Sequence, residues 1–192
     1  MTRRCRRFIR STRGVAAIEF AILAPMLLLV LVETFDIGNA VAVYMKVRSA
    51  TFALAAITNQ YSTGNSGIQS ADMTAITGSA SAILSPYSST PVTAKITQIE
   101  MTSAKKAKVS WSYALNGTAY AAKSSWKTLP SQLTATDPCG SYPCYLIYAE
   151  ISYAYKPILF STIVNALNLS DNLYVTPRSS PCVQYQGVPS AC

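Results

Sequence analysis

Six residues near the start of the chain, Gly14-Val15-Ala16-Ala17-Ile18-Glu19, have types and spacing that fit a chemical event. A stretch bearing Arg3, Arg4, Arg6, Arg7, Arg10 and Arg13 ends in Gly14, and the fifth residue of the apolar run that follows is Glu19. A protease working at the cytoplasmic membrane face needs a small residue before the scissile bond. It also needs a charged leader to hold that bond at the interface. Cleavage between Gly14 and Val15 would free an amine on Val15. Glu19 lies where an unpaired carboxylate is costly, and such an amine on a neighbouring chain would pair with it.

The cysteines offer a second chemistry. Cys5 precedes the apolar run, whereas Cys139, Cys144, Cys182 and Cys192 follow it. An even number in an exported segment predicts two disulfides. Cys139 and Cys144 enclose Gly-Ser-Tyr-Pro, and Cys182 and Cys192 enclose a nine-residue tail. Four cysteines permit three pairings. The two local ones are favoured because closing a short loop costs least entropy. Cys5 is expected to stay reduced and to leave with the leader.

Catalysis finds little support. The chain has no histidine, which removes Ser-His and Cys-His nucleophile pairs and histidine metal sites. Ser124-Ser125-Trp126-Lys127 fits the S-x-x-K element of serine β-lactamases and Ser170-Asp171-Asn172 fits their second element. The third, Lys-Thr-Gly, is missing, since Lys127-Thr128 runs into Leu129. The expectation is a non-enzymatic protein with no catalytic residues, no metal and no cofactor.

These residues depend on the elements that carry them. Of 16 basic residues, six sit in the first 13 positions, and the remainder nearly balances the 8 acidic residues. A nucleic-acid-binding domain would carry its charge on the folded body, so no nucleic-acid partner is expected. Arginines directly ahead of an apolar run place the N-terminus in the cytoplasm and attract anionic membrane lipids. Val15 to Val32 carries one charge, Glu19, and spans roughly 27 Å as a helix, close to the ~30 Å hydrocarbon core. Glu33 and Asp36 mark the far interface. Pro25 removes one backbone donor and predicts a bend or local unwinding. An ordinary signal peptide would be cut near Gly38-Asn39-Ala40. Glu19 inside the run and the apolar stripe after Ala40 argue against that.

That stripe, Phe35, Val41, Tyr44, Val47, Ala50, Leu54 and Ile57, continues the helix to about residue 60. The expected division is a leader over 1–14, a transmembrane helix over 15–33, an amphipathic extension over 34–60 and an exported domain over 61–192. Within that domain, 70–84 reads as a helix. Residues 92–97 and 109–115 alternate as a hairpin, with a turn near 103–106. Residues 118–138 read as loop with room for one helical turn. Leu146 to Tyr155 reads as the strongest strand, Ile158 to Leu167 as a short helix, and 173–176 as a last strand. Trp111, Tyr113, Tyr153 and Tyr155 sit at strand spacing and read as sheet-face residues rather than a ligand cage. The fold class is α+β, a long helix packed on an antiparallel sheet of three or four strands.

The leader, Arg13-Gly14-Val-Ala-Ala-Ile-Glu19-Phe20-Ala-Ile-Leu-Ala-Pro25, resembles the type IV prepilins, most closely the TadE-like branch of the tight-adherence (Tad) pilus system. Ala149-Glu-Ile-Ser-Tyr-Ala-Tyr-Lys-Pro-Ile-Leu-Phe160 is similar to a segment near the C-terminus of such proteins. The resemblance implies a pilin-like fold and a minor pilin or pseudopilin processed by a prepilin peptidase at Gly14–Val15. Major Tad pilins are much shorter than this chain. In this role Glu19 would set filament register by pairing with a neighbour's new amine. Implied partners are other pilins and pseudopilins, the prepilin peptidase and the inner-membrane assembly platform. The implied location is the inner membrane, single-pass, with the C-terminal domain periplasmic and then carried into an extracellular pilus. The alternative is a single-pass protein displaying a binding or adhesion domain with no filament role.

Overall fold

The computed structural model describes residues 14–61, 67–87, 92–127, 129–159 and 165–185. Residues 1–13 of the leader, Cys5 among them, and Cys192 lie outside the described residues. The first element, α1, is a single helix over Val15–Thr58. Pro25 lies inside it without ending it, because one missing N–H removes one bond from a ladder that its neighbours maintain. The local unwinding expected there is not seen. A second helix, α2, covers Ser70–Leu84 and starts on a capping box in which the Gln69 N–H donates to Asp72 Oδ2 at 3.0 Å.

The sheet comprises β1 (Val92–Ser103), β2 (Lys106–Leu115), β3 (Cys144–Tyr155) and β4 (Leu167–Val175), with a short helix α3 at Ser131–Thr136. All pairings are antiparallel in the order β2-β1-β3-β4. Period-2 alternation gives the sheet two distinct faces. Ala94, Ile96, Trp111, Ile147, Ala149, Ile151, Tyr153 and Tyr155 form one core with Val43, Val47, Ala50 and Leu54 of α1 and with Met73, Ile76 and Ala80 of α2. Ile99, Met101, Leu129 and Leu146 form a smaller core.

The expected course of residues 158–176 is corrected. The helix predicted over Ile158–Leu167 does not form in its described part: Ile158 and Leu159 are bends, and Leu167 already opens β4. Residues 160–164 lie outside the described residues. The last strand is therefore nine residues long rather than four. Its register against β3 turns Leu169, Leu173 and Val175 towards the main core. Tertiary pairing outweighs the helical propensity of the apolar run. The stretch 118–138 is loop with one helical turn, α3, as expected, and its loop part also lies along the sheet margin. The Val109 N–H donates to the Ser124 carbonyl at 2.9 Å and the Trp126 N–H to the Ala107 carbonyl at 2.9 Å, so this stretch covers part of the outer edge of β2.

The C-terminal segment is pinned through one buried residue. Trp111 Nε1 donates to the Val183 carbonyl, and the Val183 N–H donates to Gln98 Oε1, both at 2.7 Å. Beside it the Ile68 N–H donates to the Gln184 carbonyl at 2.8 Å. Gly67 makes that approach with φ at +57°, where an added Cβ would lie 2.6 Å from the Gln184 oxygen.

Candidate functional site

The candidate site is α1 itself, which is two-sided. Asp36, Val43, Val47, Ala50, Leu54 and Thr58 recur at helical spacing and are buried. Ile37, Val41, Met45 and Phe52 lie on another side of the same helix and are exposed. Glu19 is exposed as well. It precedes Ile37 by 18 residues, about five turns at 3.6 residues per turn. Glu19 thus shares the side of α1 that its own domain leaves open. Gly14 stands at the helix N-cap and Val15 is the first helical residue. Apart from Glu19, the exposed residues of this half are dominated by Ile18, Phe20, Ile22, Met26, Leu27, Leu28 and Leu31.

α1 is the one helix among the described residues long and apolar enough to cross a membrane. Its N-terminal half fits a single-pass anchor. Gly38, Asn39 and Ala40 sit inside the continuous helix.

Asp36 has a role that composition did not disclose. Its Oδ1 accepts the backbone N–H of Ile158 at 3.2 Å and, with Oδ2, that of Leu159 at 3.3 Å. A carboxylate beside the apolar run thus finds partners in the β3–β4 connection. The seven-residue step from Asp36 to Val43 puts both on the packed face, and that spacing was the signal available in the sequence.

The opposite end of β3 carries the cysteine pair. Cys139 and Cys144 are joined by a disulfide with Cα atoms 5.8 Å apart, against the smaller core. Cys182 is disulfide-bonded. Nearby lies an open depression of about 910 Å³ whose rim includes Lys105, Lys106, Lys108, Lys127 and Trp126. Beside it Tyr120, Trp126, Tyr148 and Tyr174 meet edge-on or tilted in a row with ring centroids 4.7–5.1 Å apart. Tyr120 Oη donates to Glu150 Oε2 at 3.0 Å. Burial, reinforced by the Glu150 charge, pushes the Tyr120 phenol up from 10.0 to about 12. The Ser170-Asp171-Asn172 triplet is a regular part of β4, paired with Ser152, Ile151 and Glu150. Among the described residues, no group of three or more Cys, Asp and Glu side chains is placed to hold a metal ion.

The family model described as TadE-like protein matches residues 14–56. This N-terminal segment is similar to TadE-like proteins. The match begins at Gly14, covers Glu19, Asp36 and nearly all of α1, and stops before the sheet. The match covers 43 of the chain's 192 residues. No curated protein and no solved structure matches the chain.

Proposed function

We propose that the chain is a minor pilin or pseudopilin of a Tad-type pilus. A prepilin peptidase cuts it between Gly14 and Val15. It is held once in the inner membrane with its N-terminus cytoplasmic and its domain periplasmic, and it joins other pilins on the assembly platform. Its role is structural, with no catalysis, metal or cofactor. The observation that carries the reading is the shared side of α1 bearing Glu19, Ile37, Val41 and Met45. The domain does not cover this apolar stripe, which continues beyond the length a membrane needs, and contiguous exposed apolar surface marks an interaction site. Packing against α1 of neighbouring subunits would bury it. The amine freed on a neighbour's Val15 would neutralise Glu19.

The test is co-purification of processed Glu19→Gln and Val41→Asp variants with partner pilins from membranes. Both should insert normally and lose association. Association equal to wild type in both would remove the filament role. The second reading, a single-pass protein displaying a binding domain, is favoured by the lysine-rimmed depression at the disulfide end of β3. It predicts that neither variant changes the protein's behaviour.

A further inference from the structure

We infer that Ile158 and Leu159, just after β3, make a second membrane contact and enter the lipid interface on the domain's side of the bilayer. The inference rests on the reading of 15–32 as a membrane span.

Depth supplies the first argument. Asp36 follows Val15 by 21 residues, about 31 Å along a helix. The hydrocarbon core is ~30 Å thick, so Asp36 stands at its far boundary. The N–H groups of Ile158 and Leu159 lie within 3.3 Å of the Asp36 carboxylate. These residues therefore share its level.

Exposure supplies the second. Pro157 is buried and seats the connection, whereas Ile158 is 57% and Leu159 51% exposed. Two adjacent large aliphatic side chains turned outward at the height of the lipid boundary would bury apolar area in the interface. Lys156 beside them is exposed and suits the head-group layer, where a long cationic side chain keeps its charge in water. Half-buried Tyr87 lines a depression of about 360 Å³ that includes Ile158, and tyrosines favour this layer.

Position supplies the third. The clamp is on the packed face of α1, about a quarter-turn or more away from Glu19, Ile37 and Val41. The contact therefore leaves the side offered to neighbours open. It would also fix the tilt of the domain, which a single helix alone leaves free to swing.

The experiment places the photo-reactive residue benzoylphenylalanine singly at Leu28, Lys106 or Leu159 of the full chain. Each protein is irradiated in vesicles of phosphatidylethanolamine and phosphatidylglycerol. Lipid adducts are expected at 28 and 159 and none at 106. Asp36→Ala should largely abolish the adduct at 159 and leave that at 28. A lipid adduct at 28 with none at 159 overturns the second contact and leaves the span standing. A covalent dimer through 159 assigns the surface to a second copy and overturns the lipid assignment. No adduct at 28 overturns the span, and the inference with it. An adduct at 159 that survives Asp36→Ala overturns the clamp.

Discussion

Both carboxylate oxygens of Asp36 accept the backbone N–H of Leu159 at 3.3 Å, across a sequence separation of 123 residues. The contact joins the outer end of the apolar helix to the connection that launches β4. Asp36→Ala leaves two partly buried backbone donors without this acceptor. It should cost about 1–3 kcal/mol in thermal unfolding of the detergent-solubilised chain. Asp36→Asn retains one oxygen and should lose less. Equal stability in all three proteins would show that the contact contributes nothing to the fold.

Tyr120 gives a pH signature. Its phenol is held neutral to about 12 by burial and by the adjacent Glu150 charge. A folded value above the ordinary one binds the proton more tightly in the folded state. The contribution is therefore fully present below pH 10 and is lost as pH rises through 12. Denaturant midpoints measured from pH 9 to 12 should fall with pH, and Tyr120→Phe should make that fall shallower. An unchanged slope in Tyr120→Phe would contradict the assignment.

Much of the fold was legible in the sequence. Val15–Thr58 announced itself by an apolar run passing into a helical stripe, and Ile147 to Tyr155 by strict alternation on a strand buried on one face. The β3–β4 connection was not legible. Ile158 to Leu167 is short and apolar, and such a run does not distinguish helix from strand. Pairing with β3 decided for strand at Leu167, and no local signal carries that. Asp36 read as an interface marker because its partners are backbone groups more than a hundred residues away. The row of Tyr120, Trp126, Tyr148 and Tyr174 draws on three separate stretches of chain and has no periodicity to betray it. Glu19 was legible by type and spacing, but its alignment with Ile37 needed an unbroken helix through Pro25.

Two glycines provide an internally controlled test of the tail contact. Gly67 and Gly140 both have positive φ, +57° and +60°. An added Cβ meets the Gln184 oxygen at 2.6 Å at Gly67 and nothing within 4 Å at Gly140. Gly140→Ala should cost only backbone strain, about 1–2 kcal/mol. Gly67→Ala should cost clearly more, because the clash falls on backbone that Ile68 also binds. Equal losses in urea unfolding of the two variants would mean that the 183–185 segment is not held against Gly67.

The amine that Glu19 is proposed to meet exists only after the cut between Gly14 and Val15. Gly14 precedes the helix and offers no side chain to obstruct a protease, so Gly14→Val should block processing. The most direct measurement is the N-terminal sequence of the wild-type protein isolated from membranes of cells containing a prepilin peptidase. A chain that begins at Val15, with the Gly14→Val variant remaining at full length, is the predicted result. A chain that begins at Met1, or at Val41 as a conventional signal peptide would leave it, would contradict the account.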